Sequence, residues 1–282
     1  MRIAIFDYLV TATNPAGSCH RLLLDSLDGE HEFTVFAFRF DNPRPQNIKW
    51  VRVPAILKPL AALFVSFHLL ALFRYLPYRR RFAIVQAVES NCAVADVVYA
   101  HFCHRWFLNN YWQSCRLSGA RGLFRWLDHA LHSLVEPWVL RRAKWIVVPS
   151  AGLAWELQQQ YPFTSGKITQ ISNPVDLSSF APHNFNRELW RAQRGWGPAH
   201  QVITFVALGH FERKGLPILL EALALRRNPN LRLCVVGGSS ALVARYRRKA
   251  DSLGIGSAVT FVGHQDDVRP FLWAADLFAL PS

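Results

Sequence analysis

The feature that most constrains this chain is the alternation of short apolar runs with longer segments that have helical spacing. The runs are rich in β-branched and aromatic residues, and several are apolar on both faces, as the strands of a helix-covered parallel sheet must be. This alternation predicts a doubly wound α/β fold. We expect strands at 2–6, 33–38, 50–53, 83–88, 97–102, 145–150, 168–172, 202–208, 231–237, 259–263 and 277–282.

The length of 282 residues allows two domains. Pro, Asn and Ser cluster in "SNPVDLSSFAPHNFN", between a predicted strand and the next helical segment, which is typical of a boundary. We expect an N-terminal domain over 1–172, a linker over 173–186 and a C-terminal domain over 187–282. Because the two parts have similar patterns, both are expected to be Rossmann-like, with a cleft between them.

The charge of the chain is strongly positive, since 32 Lys and Arg oppose 19 Asp and Glu for a formal net charge of +13. Such a balance favours an anionic partner: phosphate groups, an acidic membrane surface or nucleic acid. Nucleic acid is not expected, because no recognised motif interleaves basic and aromatic residues. The five cysteines form no CxxC pair, which predicts neither a disulfide framework nor a zinc site and fits a cytoplasmic protein.

One segment departs from a soluble pattern. "AILKPLAALFVSFHLLALF" at 55–73 is almost uncharged, and "RYLPYRRR" follows it with four arginines. Three readings remain open: a buried core helix, a helix lying in a bilayer interface with its arginines on lipid phosphates, and a membrane span. In the second reading, the apolar and basic stretch 55–81 contacts the membrane, which predicts a peripheral protein at the inner face of the cytoplasmic membrane.

The loop "GHFERKG" at 209–215 joins the run "VITFVAL" to a helical segment that starts "LPILLEAL". Its glycines permit close backbone approach, Lys214 supplies a cation, and the free N–H groups at a helix start favour an anion. A diphosphate is one candidate for that anion, and a plain glycine turn with solvated charges is the alternative. Neither GxGxxG nor GxxxxGK[ST] is present.

The same stretch resembles the "G-R-x-x-x-K-G-x-x-x-L-L-x-A-L" motif of family 4 retaining glycosyltransferases of the GT-B fold. Four further pieces resemble the family in the same order: "WIVVPSAGLAWEL", "KITQISNPVDLSSFAP", "LRLCVVGG" and "VTFVGHQDDVRPFLWAADLFALPS". All lie in the second half of the chain, and the N-terminal half matches loosely. The resemblance implies two Rossmann-like domains facing a cleft.

The resemblance also implies a donor site. Lys214 would contact the donor diphosphate, with Arg213 as the candidate to replace the family's phosphate-binding arginine, whose position is taken here by His210. The implied donor-binding residues of the second domain are Gly209, His210, Arg213, Lys214, Gly215, Val262 and Gly263. Gly17 and Ser18 would approach the phosphates from the first domain. His101 matches a family histidine near the transferred sugar and is the expected catalytic residue, with His104 as a second candidate.

The implied activity is retaining transfer of a sugar from a UDP- or GDP-sugar to a glycan or lipid-linked acceptor in cell-envelope or exopolysaccharide synthesis. No metal or other cofactor is expected, because no DxD motif lies in a suitable loop. The acidic E-x7-E region that follows "P-S" in the family would lie beyond Ser282, so we expect a fragment with an incomplete second domain. A non-catalytic nucleotide-sugar-binding remnant and another GT-B enzyme, such as a sugar-nucleotide epimerase, remain alternatives.

Overall fold

The computed structural model of the chain describes residues 1–12, 14–27, 29–115 and 119–281. These residues form two compact units, Met1–Asp176 and Leu177–Ser282, with Ser282 itself outside the described part. The strands of unit 1 are β1 Arg2–Phe6, β2 Leu9–Val10, β3 Glu32–Ala37, β4 Arg39–Phe40, β5 Ile48–Arg52, β6 Ile84–Val88, β7 Val97–Tyr99, β8 Trp145–Val148 and β9 Ile168–Gln170. The strands of unit 2 are β10 Gln201–Val206, β11 Leu231–Val236, β12 Val259–Gly263 and β13 Leu277–Phe278.

Helices alternate with these strands. Those of unit 1 are α1 Pro15–Ser26, α2 Leu60–Tyr75, α3 His104–Asn110, α4 Trp112–Cys115, α5 Gly119–Arg142 and α6 Ala151–Gln160. Those of unit 2 are α7 Leu177–Phe180, α8 Arg187–Ala192, α9 Leu216–Arg226, α10 Ser240–Ser252 and α11 Arg269–Ala274. Short 3₁₀ turns cover Leu76–Arg81, Pro162–Thr164 and Gly256–Ala258.

Unit 1 is built on a seven-stranded sheet with the order β5-β3-β1-β6-β7-β8-β9, and every pairing in it is parallel. The order reverses between β1 and β6, which is the topological switch of a Rossmann fold. Helices cover the sheet, so its strands are apolar on both sides, and the main core includes Phe6, Phe36, Phe67 and Ile146. The small sheet β2-β4 is also parallel.

Unit 2 repeats this plan on a smaller scale. Its parallel sheet has the order β12-β11-β10-β13, so its own reversal lies between β10 and β13. Phe205 and Phe211 meet edge to face with their centroids 5.6 Å apart in the core of this unit. Both units therefore place the loops after their central strands at the edge where α/β proteins bind ligands.

All eleven strands expected from the sequence are present, which confirms the doubly wound α/β prediction. Most are shorter at the carboxyl end: the expected strand at 97–102 ends at Tyr99, and the one at 277–282 ends at Phe278. The residues beyond these ends form loops, and the expected site residue His101 lies in one of them. Strands β2 and β4 were not predicted, because two residues are too short to show an alternation.

Helix α2 contains most of the apolar segment 55–73, for which a core helix, an interfacial helix and a membrane span were the alternatives. Its residues Leu63, Phe67, Ala71 and Tyr75 are buried in the core of unit 1, and Phe64 packs on His132 of α5 with ring centroids 4.2 Å apart. Its opposite side is exposed, so it is not a fully buried core helix. Within the described residues, the stretch Leu60–Arg81 is the one that by length and composition could cross a membrane.

The cysteines whose side chains the structure describes are Cys19, Cys92, Cys103 and Cys234, and all are free and buried. Burial raises the pKa of the Cys92, Cys103 and Cys234 thiols to about 12, so these groups stay protonated and behave as small apolar side chains.

Candidate functional site

Each unit gathers polar residues and glycines at the carboxyl ends of the strands that flank its reversal point. In unit 1, Asp7 follows β1 and Glu89 follows β6. In unit 2, the loop from Ala207 to Gly215 follows β10. Both places are where the fold opens a crevice, since the connections on the two sides of a reversal leave in opposite directions.

Two of its own side chains fix the loop after β10. Phe211 is fully buried and packs edge to face on Tyr246 of α10, with centroids 5.4 Å apart. Glu212 accepts a hydrogen bond of 2.6 Å from the Tyr246 hydroxyl. The apolar ring and the carboxylate thereby tie the loop to α10, so the remaining side chains of the loop are presented by a supported backbone.

Those remaining side chains are the cations and the histidine of the motif. His210 and Arg213 are exposed and Lys214 is half-buried. Among the residues that the structure describes, neither Arg213 nor Lys214 has an ion-pair partner. His210 has a φ of 54°, in the left-handed region, which is uncommon for a residue with a side chain. The loop therefore presents two cations at the reversal point of unit 2.

Helix α9 begins directly after this loop, with Gly215 as its N-cap. Gly215 has a φ of 78° and no side-chain hydrogen bond caps the helix. A Cβ at Gly215 would lie 2.1 Å from the Pro281 carbonyl oxygen, so the glycine is required for the close approach of the chain after β13. By contrast, a Cβ at Gly209 or Gly263 would meet nothing within 4 Å. Gly215 thus has a packing role, while Gly209 and Gly263 border open space.

The pair Gly237 and Gly238 directly follows β11 and was absent from the predicted site. Gly237 has a φ of 101°, its N–H donates to the Gly263 carbonyl at 2.6 Å, and a Cβ there would lie 2.0 Å from the Ala207 carbonyl oxygen. The ends of β10, β11 and β12 are therefore drawn together through glycine backbone. The signal was visible in the sequence as a double glycine after an apolar strand.

At the reversal point of unit 1, Asp7 and His20 form a buried polar pair that sequence reasoning missed. His20 is fully buried on α1, and its Nδ1 lies 3.4 Å from the Asp7 carboxylate without a hydrogen bond between them. The other ring nitrogen, Nε2, lies 2.7 Å from the Gln86 amide nitrogen on β6. Because an amide nitrogen is a donor, Nε2 accepts and the proton of a neutral His20 ring is on Nδ1, facing Asp7.

His101 follows β7 and lies half-buried beside this pair. Its ring contacts the Tyr99 ring at a centroid distance of 4.3 Å, and the Tyr99 ring in turn meets that of His20 at 5.4 Å. Burial lowers the pKa of His101, although the Glu89 carboxylate opposes that shift. Its Nε2 is buried and has no hydrogen-bond partner in the described part of the chain. A neutral imidazole with an unused polar atom is suited to bind a polar ligand group.

His104, the second candidate, belongs to an enclosed cluster. Its Nδ1 lies 3.0 Å from Nδ1 of His129, and its Nε2 lies 3.3 Å from a Glu89 oxygen. Its ring stacks on that of His132 at 4.1 Å, and His132 Nδ1 lies 2.8 Å from the Ser90 hydroxyl. Burial lowers the pKa of His104 and His129 to about 3 and that of His132 to about 2, so all three rings are neutral.

The ligand atoms of Glu89, His104 and His132 lie within 4.8 Å of one another, close enough in principle to share a metal ion. Hydrogen bonds already engage both ring nitrogens of His104 and one oxygen of Glu89, however. If His129 donates to His104 and His104 donates to Glu89, the chain of hydrogen bonds is complete without an ion. Both nitrogens of His104 are thereby occupied, whereas His101 keeps one nitrogen unused.

Gly17 and Ser18, expected to approach phosphates, have their amides occupied by the start of α1. The Gly17 N–H donates to the Asn14 side chain at 2.8 Å, and the Ser18 N–H donates to the Asn14 carbonyl at 2.8 Å. A Cβ at Gly17 would lie 1.8 Å from the Leu9 carbonyl oxygen. The close packing of α1 on β2 therefore requires this glycine, whether or not a ligand also approaches it.

Solved structures with the same architecture match nearly the whole chain. The glycosyltransferase WaaG, described as involved in lipopolysaccharide biosynthesis, has a TM-score of 0.72 at 16% identity, covering 99% of this chain and 75% of its own. HepE from Anabaena, solved with UDP-glucose, has a TM-score of 0.65 at 16% identity over 100% of this chain and 74% of its own. These similarities place the two Rossmann-like units in the GT-B class of α/β proteins.

Sequence comparison carries the assignment further. A family model described as Glycosyltransferase Family 4 matches residues 21–179, and one described as Glycosyl transferases group 1 matches residues 200–282. The chain therefore belongs to Glycosyltransferase Family 4, whose model matches more than half of it. A curated relative, the lipopolysaccharide core biosynthesis glycosyltransferase LpsE of Rhizobium meliloti, is 40% identical over 78 residues, which span 27% of this chain and 22% of that protein.

Proposed function

We propose that this glycosyltransferase moves a sugar from a nucleoside diphosphate donor to a glycan or lipid-linked acceptor of the cell envelope, with retention of the anomeric configuration. The roles of LpsE and WaaG in lipopolysaccharide biosynthesis support an envelope acceptor. The complexes of HepE with UDP and with UDP-glucose support a uridine donor, with GDP-sugars as the alternative. The enzyme would meet its donor in the cytoplasm.

The observation that carries this proposal is the supported loop after β10. Lys214 and Arg213 lack ion-pair partners among the described residues, although the loop itself is anchored through Phe211 and Glu212. Two cations held by a fixed backbone at a reversal point suit a diphosphate, whose oxygens accept charge-assisted hydrogen bonds. Open space around Gly209 and Gly263 leaves room for a ligand at the same edge.

These cations would act in catalysis as well as in binding. When the bond between the sugar and the diphosphate breaks, negative charge develops on the leaving phosphate, and fixed cations stabilise that charge without a metal ion. Lys214 would carry most of this role, assisted by Arg213 and His210. In this proposal the transfer is independent of divalent metals.

His101 would orient the transferred sugar. It is neutral at pH 7 because burial lowers its pKa, so the half-buried ring would exchange a hydrogen bond with a sugar hydroxyl without adding charge. The partly exposed Glu89 carboxyl group at the next strand end would contact a further hydroxyl, and the buried pair Asp7 and His20 would support this edge from below. Val262 and Gly263 would lie along the nucleobase, as the family resemblance implies.

Isothermal titration calorimetry with UDP, GDP and orthophosphate tests the donor assignment on the chain as it is. Binding of UDP or GDP well above that of orthophosphate is expected, and failure of both nucleotides to bind would contradict the proposal. Incubation with UDP-glucose and deacylated lipopolysaccharide, followed by proton NMR of the new glycosidic bond, tests retention. An inverted anomeric centre would refute the retaining mechanism, and loss of transfer in EDTA would refute metal independence.

A further inference from the structure

Helix α2 is apolar on two opposite sides. On the side that packs on the sheet, Phe67 meets the Tyr8 ring at 4.8 Å and Tyr75 meets the Phe6 ring at 5.6 Å, both edge to face. A helix that covers a sheet in water normally shows polar residues on its other side. Here the opposite side is also apolar, so packing within unit 1 explains only half of this helix.

The outward side chains form a regular stripe. They recur at spacings of four, three, one and three residues, which places them on one side of a helix with 3.6 residues per turn. We call this set the apolar stripe; its members are Val65, Leu69, Leu72, Phe73 and Leu76, and each is exposed. Leu69 and Phe73 are the most open, at 65% and 71%. A continuous exposed apolar surface of this kind marks an interaction site.

Exposed aliphatic side chains in the preceding loop enlarge the same surface. The Ile56 N–H donates to the Ser66 hydroxyl of α2 at 3.0 Å, which holds the loop along the helix. Ile56 and Leu57 are themselves exposed. The apolar surface therefore extends beyond the helix to the chain that leads into it.

Positive charge borders this surface, and Glu32, which shares a depression with Arg81, is itself paired with Arg2 at 2.8 Å. The arginine cluster, defined here as Arg74, Arg79, Arg80 and Arg81, lies at the end of α2 and in the following 3₁₀ turn, and every member is exposed. None of the four forms an ion pair with a described carboxylate. The sequence contains no Asp or Glu between Asp41 and Glu89.

Further basic and aromatic residues lie beside the arginine cluster. Arg74 shares a shallow depression of about 400 Å³ with Trp50, Arg52 and Pro54. Trp50 is exposed, and Lys49 lies over the Tyr78 ring at 5.0 Å. Tryptophan and tyrosine are enriched where a protein meets the headgroup layer of a membrane, and lysine and arginine bind the phosphates of that layer.

We propose that the apolar stripe and the arginine cluster form a docking surface for an anionic phospholipid bilayer, with α2 lying in the plane of the interface. The stripe enters the boundary between headgroups and acyl chains, and the arginines contact lipid phosphates. A membrane-spanning α2 is incompatible with this fold, since the inward side of the helix forms part of the sheet's core. The proposal is independent of the donor assignment.

Vesicle co-sedimentation of the full chain tests this surface. We expect binding to phosphatidylcholine vesicles that contain about 30% phosphatidylglycerol, weak binding to phosphatidylcholine alone, and release as salt is raised. The double variant L69E/F73E should lower the partition coefficient about tenfold or more, because it places two charges where apolar contact is needed. The control L225E changes another exposed leucine, 84% exposed and also followed by arginines, and should bind like the parent chain.

Charge is tested separately in the arginine cluster. Replacing Arg79, Arg80 and Arg81 together by Gln should abolish the preference for anionic vesicles, whereas replacing them by Lys should keep it. Circular dichroism and thermal melts verify that the variants are folded. The proposal is overturned if the parent chain binds no vesicles, if L69E/F73E binds as well as the parent, or if sedimentation velocity shows that the stripe instead joins two copies of the chain.

Discussion

Replacing Lys214 by Ala isolates the contribution of one cation to donor binding. The side chain is half-buried and has no ion pair or hydrogen bond among the described residues, so its removal breaks no polar contact that holds the fold. Phe211 and Glu212 continue to anchor the loop. We therefore expect the free energy of unfolding to change by less than about 0.5 kcal/mol, the usual range for a surface substitution.

The effect on nucleotide affinity should be much larger. A hydrogen bond to a charged group contributes about 1.5–3 kcal/mol. Since each 1.4 kcal/mol changes a dissociation constant tenfold, loss of the Lys214 contact should raise the Kd for the nucleoside diphosphate by about 10- to 150-fold. The affinity of the parent chain should also fall more steeply with salt than that of K214A, because the variant has lost a screened charge interaction.

Calorimetric titration of UDP and GDP into K214A, K214R and K249A measures these differences. Lys249 is a matched control: it lies in the same unit, but its ammonium group is paired with Glu221 at 3.0 Å. K249A should bind nucleotide like the parent chain, and K214R should keep part of the affinity. If K214A keeps the parental Kd, the loop does not hold the diphosphate and the reasoning from its free cations is wrong.

Three further outcomes follow from the site geometry. H101A should lower the rate of sugar transfer by about 10²-fold or more while nucleotide affinity stays within a factor of about two, measured by product formation and calorimetry. G17A should lower the free energy of unfolding by about 1–3 kcal/mol because its Cβ meets the β2 backbone, whereas G209A should leave urea stability unchanged. H132F should make the free energy of unfolding less sensitive to acid. The native His132 ring stays neutral down to a pKa of about 2, while the same ring in the unfolded chain gains a proton below about pH 6.5, so each such ring lowers the free energy of unfolding by about 1.4 kcal/mol per pH unit as the pH falls. Urea titrations at several pH values measure this difference.

The fold could be predicted from the sequence because its signal is local and repeated. A strand such as "WIVV" at β8 is apolar on both faces wherever it is placed in a covered parallel sheet, and the helical segments between strands keep their own period. Strand ends were predicted less well, since β7 stops at Tyr99 although the apolar residues continue. The residues after Tyr99 leave the sheet and form the loop that carries His101.

The candidate site was only partly visible in the sequence. The loop around Lys214 has a compact motif, but Asp7 and His20 are separated along the chain and meet only because α1 packs over β1. Histidines at 101 and 104 have similar surroundings in the sequence. Only the structure shows that His104 is enclosed by His129 and Glu89 while Nε2 of His101 lacks a partner.

The sequence also cannot show whether a glycine is needed for ligand binding or for packing of the chain itself. A small residue is needed wherever backbone approaches closely, whether the approaching group belongs to a ligand or to the protein itself. Gly215 and Gly17 are both required by neighbouring carbonyl groups of the chain, those of Pro281 and Leu9. Their motif positions alone therefore do not assign them to donor binding, and the cations of the loop remain the stronger part of that prediction.

The two units differ in the charge they offer at their strand ends, and this difference favours different ligand groups. In unit 1 the groups beside His101 are imidazoles and carboxyl groups, and burial raises the pKa of Glu89 just as it lowers that of His101. Imidazoles and carboxyl groups exchange hydrogen bonds with the hydroxyls of a sugar, whereas a diphosphate would bring negative charge beside the Asp7 and Glu89 carboxyl groups. In unit 2 the loop presents Lys214 and Arg213, which suit phosphate oxygens. The charge pattern therefore supports the proposal that the loop of unit 2 binds the diphosphate, and it suits the strand ends of unit 1 to neutral hydroxyl groups.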